Sequence, residues 1–175
     1  GNDTYVFGSG YGQDIVFDQD ATVGNVDVVQ FAADISPDDV TATQQAGTYN
    51  LSLEIDGTTD VLTIANHFFG PDDRAEEIRF ADGTIWTPTT TPMLISGSSA
   101  SDVINGTAGP DVIESGAGSD VMSGDTGNDT YRYYRGDGAD YIFDFDATAG
   151  NLDKILFAAD ILPSQVQASR SGSDL

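Results

Sequence analysis

Between residues 95 and 135 single large apolar side chains recur at every ninth position: Ile104, Ile113, Met122 and Tyr131. Neither a helical period nor the strict alternation of a long strand gives that spacing. The intervening positions form columns of their own, Gly97, Gly106, Ser115 and Gly124 in one, Ala100, Gly109, Gly118 and Gly127 in another, Asp102, Asp111, Asp120 and Asp129 in a third. Each nine-residue block predicts a Gly-rich turn closed by Asp, then a three-residue strand with one inward side chain. A strand that short is unstable alone and must stack in parallel on its neighbours. Two blocks make an eighteen-residue coil, and successive coils set strands about 4.8 Å apart. Ile104 then stacks under Met122 on one sheet and Ile113 under Tyr131 on another, a thin core. Asp102 and Asp120 fall on one edge, Asp111 and Asp129 on the other.

Elsewhere the pattern is that of antiparallel strands. Asn50–Ile55 alternates polar and apolar residues, Asp56-Gly57 follows, and Asp60–Ile64 returns, which predicts a β-hairpin. Ala81-Asp82-Gly83-Thr84 before Ile85-Trp86 predicts a second. Helix is expected to be short or absent, one turn at most after Ser36-Pro37 or around Pro71-Asp72-Asp73.

A longer period overlies the short one. Residues 1–43 and 127–169 align at a constant offset of 126 without a gap and are identical at 24 of 43 positions. Tandem duplication accounts for that better than shared composition. The units are read as 1–94, the end of one roll with its downstream β-rich region, and 95–175, a second roll and the start of its downstream region. Both ends fall in mid-unit, the second at Ser173-Asp174-Leu175, so a window on a longer array is expected.

The 175 residues carry 29 acidic and 6 basic side chains, a net charge of −23, one histidine and no cysteine. Such a charge repels phosphate backbones and anionic lipid, so neither nucleic acid nor a membrane surface is an expected partner. Disulfides, thiolate metal sites and thiol catalysis are excluded. No run of about eighteen apolar residues forms a membrane span. Of the acidic residues 25 are Asp and 4 are Glu. Asp concentrates where a short carboxylate reaches its own turn or a cation.

Asp, Gly and apolar columns in register resemble the nonapeptide of the RTX (haemolysin-type calcium-binding) family, a pattern known as a calcium-binding β-helix repeat. The resemblance covers roughly 95–140, a tail at 1–14, and the following segments with AADI at 32–35 and 158–161 and EIRFADGTIWT at 77–87. It implies an all-β, right-handed parallel β-roll (a β-helix solenoid) flanked by β-hairpin or antiparallel extensions. It also implies several Ca2+ ions between adjacent coils, each held by an Asp from each coil and by turn carbonyls. Calcium takes six to eight oxygens at about 2.3–2.6 Å, and Gly turns let several carbonyls converge. The candidate metal residues are Asp102, Gly106, Gly109, Asp111, Gly116, Gly118, Asp120, Gly124, Gly127, Asp129, Gly136, Gly138 and Asp140, with Asp3, Gly10, Gly12 and Asp14 in the first unit. If about four ions bind, the effective charge falls by about eight.

Some loops depart from the repeat. Ala100 stands where Gly is preferred, which weakens the site pairing 97–102 with 115–120. Loop 106–111 carries Pro110, tolerable where no N–H donor is needed. Loops 136–140 and 10–14 arrive after a two-residue slip and are expected to close the roll. Asp3 has no partner coil in this chain. Asp18, Asp20 and Asp27, with their copies Asp144, Asp146 and Asp153, fit either an Asx-type turn or a further cation site. They do not fit an EF-hand, since position 6 is Val23 or Ala149 and position 12 is Val29 or Ile155.

Other chemistry finds little support. His67 reads as a packing residue and not as a catalyst or ligand. Tyr131, Tyr133, Tyr134 and Trp86 read as core or capping aromatics before a sugar-stacking surface, and a carbohydrate or surface ligand has no support in the sequence. Neither a nucleophile elbow nor a phosphate loop nor a zinc helix occurs. The expected function is therefore a non-catalytic, calcium-binding structural module of a secreted bacterial RTX protein that folds on Ca2+ binding after type I export. Two alternatives stand beside it: a tandem unit of a long extracellular fibre or adhesin that contacts neighbouring copies of itself, and a module appended to a secreted enzyme.

Overall fold

Strands three and four residues long cannot satisfy their own backbone groups, and the architecture follows from where those groups find partners. The computed structural model describes residues 1–170. Residues 171–175, including Ser173-Asp174-Leu175, lie outside them. Among the described residues there are fifteen strands and three one-turn 3-10 helices. The helical turns are Pro37–Asp39, Pro71–Asp73 and Pro163–Gln165, the first two at the places the Pro-containing sequences indicate.

The nonapeptide stretch supplies β9 (Met93–Ser96), β10 (Val103–Asn105), β11 (Asp111–Glu114), β12 (Val121–Ser123), β13 (Thr130–Tyr133) and β14 (Tyr141–Ile142). Alternate strands pair in parallel. Ile104 lies beside Met122 and Ile113 beside Tyr131, so the eighteen-residue coil holds as the spacing predicts. Ile104, Ile113, Met122 and Tyr131 are all buried. The next coil is longer by two residues, with Met122 beside Ile142, which is the slip seen in the sequence. A further coil spans 24 residues, Tyr131 pairing with Ile155 of β15 (Lys154–Phe157).

The first unit contains β1 (Thr4–Phe7), β2 (Gln13–Val16), β3 (Val28–Phe31), β4 (Val40–Gln45), β5 (Leu51–Ile55), β6 (Val61–Ile64), β7 (Glu77–Arg79) and β8 (Ile85–Trp86). Both expected hairpins form. β5 and β6 are antiparallel with Leu51 opposite Ile64, and β7 and β8 with Ile78 opposite Trp86. The turn glycines Gly57 and Gly83 sit at φ of 75° and 92°, the left-handed region that a side chain resists.

Three sheets result, in strand orders β1-β3-β7-β8, β10-β12-β14 and β15-β13-β11-β9-β4-β5-β6-β2. The last is mixed: β9 is parallel to both β4 and β11, whereas β5 is antiparallel to both β4 and β6. One core cluster runs from Phe7, Phe31 and Trp86 through Leu53 and Ile95 to Ile113 and Tyr131. Equivalent strands of the duplication differ in cover. β3 is clasped by β7 and buries Val29 and Phe31, while in β15 the corresponding Ile155 and Phe157 are exposed.

Candidate metal centre

The turn carboxylates act across coils as well as within their own loops. Asp120 Oδ1 accepts the Asp102 N–H at 2.8 Å, Asp129 Oδ1 the Asp111 N–H at 2.9 Å, and Asp140 Oδ1 the Asp120 N–H at 3.1 Å. Asp102, Asp120 and Asp140 thus line one edge, Asp111 and Asp129 the other. Each coil also holds its own turn: Asp102 accepts the Ser98 N–H and hydroxyl, and Asp111 the Thr107 N–H and hydroxyl. Two oxygens are left over. Asp120 Oδ2 and Asp129 Oδ2 are buried without a hydrogen-bond partner.

Carbonyl oxygens crowd the same edges. A Cβ on Gly106 would run into the Gly124 carbonyl oxygen, and one on Gly138 into that of Gly118. The carbonyls of Ser98, Ala100 and Gly109 stand likewise against Gly116, Gly118 and Gly127, and that of Thr91 against Gly109. At Gly124 the neighbours are the Asp129 carboxylate and the Tyr131 hydroxyl. Glycine in these columns therefore brings one coil's carbonyls close to the next coil's turn. Gly10, Gly12 and Gly136 differ: they have positive φ and open space where a Cβ would stand.

Burial of these carboxylates has an electrostatic consequence. Desolvation raises the Asp111 carboxyl to about 7 and, less strongly, Asp129 to about 6. Asp129 is raised further by Asp153, Asp144 and Asp146. Asp140 is raised too, again chiefly by desolvation. Meanwhile Arg79, Arg132 and Arg135 pair with Glu77, Glu114 and Asp160. Orphaned buried carboxylate oxygens, convergent carbonyls and an all-oxygen donor set fit a hard divalent cation of calcium type.

The remaining candidates separate by residue. Asp129, Asp144 and Asp153 each present one carboxylate oxygen within 4.8 Å of the other two. Asp20 and Asp146 instead form the Asx-type turn, accepting the N–H of Thr22 and Thr148. Asp144 does the same in part, its Oδ1 accepting the Asp146 N–H at 3.2 Å, so the Asx-type turn is formed in both segments. Asp3, expected to have no partner coil, has one through β3: β1 pairs with it in parallel, and the Asp3 N–H donates to Asp27 Oδ1 at 2.7 Å as the Asp129 N–H does to Asp153, because the partner lies 24 residues on and outside the nonapeptide spacing. Asp14 is exposed, and the carboxylate that organises its loop is Asp60, which accepts the Gly10 and Gly12 N–H groups at 2.8 and 2.7 Å. Sequence reading passed over Asp60 as a hairpin residue; its position at the head of β6, beside β2, could not be read from local pattern.

His67 is buried against Phe68, with its pKa lowered to about 4 by desolvation and by Arg74, as a packing role requires. Tyr131 and Trp86 are buried, Trp86 edge-on to Phe80, while Tyr133 packs on Phe157. Tyr134 is exposed, and its hydroxyl donates to Glu114.

The columns can now be set beside known families. Residues 96–131 match the RTX calcium-binding nonapeptide repeat in four copies. The chain carries RTX repeats. Residues 50–90 match the haemolysin-type calcium binding protein related domain, so the hairpin region that precedes the repeats has a recognised counterpart of its own. The chain is 30% identical over 99 residues to the iron-regulated protein FrpA of Neisseria meningitidis serogroup C. That similarity covers 55% of this chain, which spans only 9% of the relative. No solved structure matches it. Calcium is the ligand of these RTX repeats, at several sites.

Proposed function

We propose that the chain is a non-catalytic, calcium-dependent structural module of a secreted bacterial RTX protein, in which residues 95–140 form a right-handed parallel β-roll. Residues 1–94 and 95–175 belong to two tandem copies of one module, the first the end of a roll with its downstream β-rich region and the second a further roll with the start of its own. The observation that carries the reading is the pair of buried, unpartnered oxygens, Asp120 Oδ2 and Asp129 Oδ2, set in a ladder of carboxylates and carbonyls. Calcium supplies the positive charge that this ladder lacks. Asp102, Asp111, Asp120, Asp129 and Asp140 are its side-chain ligands, and Gly106, Gly109, Gly116, Gly118, Gly127 and Gly138 admit the carbonyls of neighbouring chain; Gly124 makes room for the Asp129 carboxylate, Gly136 belongs to the closing turn, and Asp3, Gly10, Gly12 and Asp14 belong to the corresponding loops of the first unit.

Folding and metal binding are then linked. A thin core and a net charge of −23 leave the ion-free chain little to hold it compact, whereas cations that bind only the folded form add their binding energy to its stability. A chain of this kind passes an export channel unfolded where calcium is scarce and folds outside. Circular dichroism in EDTA, then calcium, then magnesium tests this. Strand signal should appear with calcium; full structure in EDTA, unchanged by calcium, refutes it. Replacing Asp111 and Asp129 with Ala should lower the calcium stoichiometry measured by calorimetry.

A second reading rests on the duplication. Equivalent hydrogen bonds recur 126 residues apart, as in Tyr5 to Asp18 and Tyr131 to Asp144, the regularity of a repeating extracellular fibre or adhesin. A full-length chain with many copies supports that reading; a single copy beside a catalytic domain supports a module appended to an enzyme.

A further inference from the structure

The nonapeptide columns end at Asp129, and the chain then makes a 24-residue excursion before β15 pairs with β13. That excursion returns two carboxylates to the roll's last turn. Asp144 Oδ2 accepts the Tyr131 hydroxyl at 3.1 Å, and Asp153 Oδ1 the Asp129 N–H at 2.9 Å. Asp153 Oδ2 is held by the Asn151 amide at 2.9 Å. The segment is fixed in turn by Asn128, whose side-chain oxygen accepts the Leu152 N–H at 2.8 Å. Three carboxylates of like charge are thereby pinned within 4.8 Å of one another.

An acidic cluster alone says little, and the deciding observation is what the hydrogen bonds leave over. Asp129 is fully buried, its Oδ1 is used by the Asp111 N–H, and its Oδ2 has no partner. That oxygen and the Tyr131 hydroxyl crowd the same point above Gly124, so the orphan faces the side of the cluster where Asp144 is bound. Asn151 Oδ1 is a second buried oxygen without a partner. Its amide donates to Asp153, which turns this oxygen away from the Asp153 carboxylate.

We propose that Asp129, Asp144 and Asp153 form a calcium site that closes the end of the roll, outside the nonapeptide spacing. Three carboxylates each offer a hard oxygen, and water completes the six to eight that calcium takes. Asp129 then serves two coils, with Oδ1 ordering the turn at Asp111 and Oδ2 left for the ion. The site ties the return segment 144–153 to the last turn and gives β15 a fixed position against β13. The first unit shows the same frame in part. Tyr5 donates to Asp18, Asp27 accepts the Asp3 N–H and the Asn25 amide, and Asn25 Oδ1 is again an unpartnered buried oxygen. There the Asp3 side chain is exposed, and the assignment is made for the second unit alone.

The test compares calcium stoichiometry of the whole chain by calorimetry for wild type, Asp144→Asn/Asp153→Asn and Asp102→Asn/Asp120→Asn. The first variant should lose one ion and keep the rest; the second should lose nonapeptide ions and keep this one. If the first variant binds as many ions as wild type, the site does not exist, whatever the second does. If only the second keeps full stoichiometry, the loop sites fail and this one stands. Should the first variant not fold in calcium, Tyr131→Phe decides. Its lost hydroxyl leaves the core ring in place, and terbium emission sensitised by tyrosine should fall with it; emission equal to that of wild type overturns the proposal.

Discussion

Replacing Asp111 with Asn should stabilise the ion-free module at pH 8 and weaken it in calcium. Asp111 is 1% exposed, and desolvation holds its carboxyl near 7. An Asp titrates near 3.8 when unfolded, so the folded state takes up a proton more readily. A raised carboxyl contributes stability at low pH and loses it as pH rises from about 4 to about 7. The ionised form at pH 8 therefore costs the ion-free fold about 4 kcal/mol. Asn removes the charge and keeps the shape. Its single oxygen can accept only one of the two Thr107 bonds at 2.5 and 3.0 Å, a loss of about 1 kcal/mol. The net expectation is a gain of about 3 kcal/mol at pH 8, turning into a loss of about 1 kcal/mol near pH 3. Far-ultraviolet circular dichroism in EDTA from pH 3 to pH 8, with urea to set the midpoint, reads both limbs. In calcium the order must reverse, since the variant has lost a ligand charge. A variant that is less folded than wild type in EDTA at pH 8, or that has the same pH dependence, refutes the reasoning.

Two further substitutions separate close approach from backbone strain and core from surface. Gly138→Ala meets the Gly118 carbonyl and a φ of 116°, whereas Gly136→Ala meets open space at a φ of 97°; urea unfolding in calcium should show a loss of about 1 kcal/mol for Gly136→Ala and several-fold more for Gly138→Ala. Ile113→Ala empties a fully buried position between β9 and β13 and should cost about 2–5 kcal/mol in the same assay, while Val103→Ala, 69% exposed in β10, should stay within about 0.5 kcal/mol.

The parts of the fold that sequence made legible are those in which one local rule repeats. Ile104, Ile113, Met122 and Tyr131 could be placed because a nine-residue period leaves a three-residue strand one inward side chain, and parallel stacking fixes its partner eighteen residues away. Asp-Gly turns announced both hairpins. What escaped were contacts joining elements through long loops. Nothing near Val61 indicates that β6 lies parallel to β2, with Val61 beside Gln13, nor that Met93–Ser96 carries the roll's sheet into β4. Glycine's role was legible only in part. The sequence suggested turns at positive φ, but at Gly106 the constraint is the carbonyl of the next coil. The carboxylates were seen as ligands and not also as acceptors for each other's backbone N–H, since that arrangement needs both coils in place.

Asp60 gives this last point its opposite sign. It accepts the N–H groups of Gly10 and Gly12, and those two bonds, Gly10 first, lower its carboxyl below the usual range. A depressed carboxyl contributes stability that is present above the unfolded value and is lost as pH falls through the folded one. Asp60 thus favours the fold at neutral pH without any ion, where Asp111 opposes it. The balance with burial explains the difference: at Asp60 the bonds from Gly10 and Gly12 outweigh desolvation, whereas at Asp111 desolvation outweighs the bonds from the Thr107 N–H and hydroxyl. Asp60→Asn should loosen loop 8–14 at pH 7, read as faster hydrogen exchange at the Gly10 and Gly12 amides. The difference from wild type should shrink only in acid below the usual Asp range, where the depressed Asp60 carboxyl itself takes up a proton. Exchange at Gly10 and Gly12 that is equal in the two proteins at pH 7 would show that Asp60 does not hold the loop, and that the first unit's turn is ordered by the hairpin strands alone.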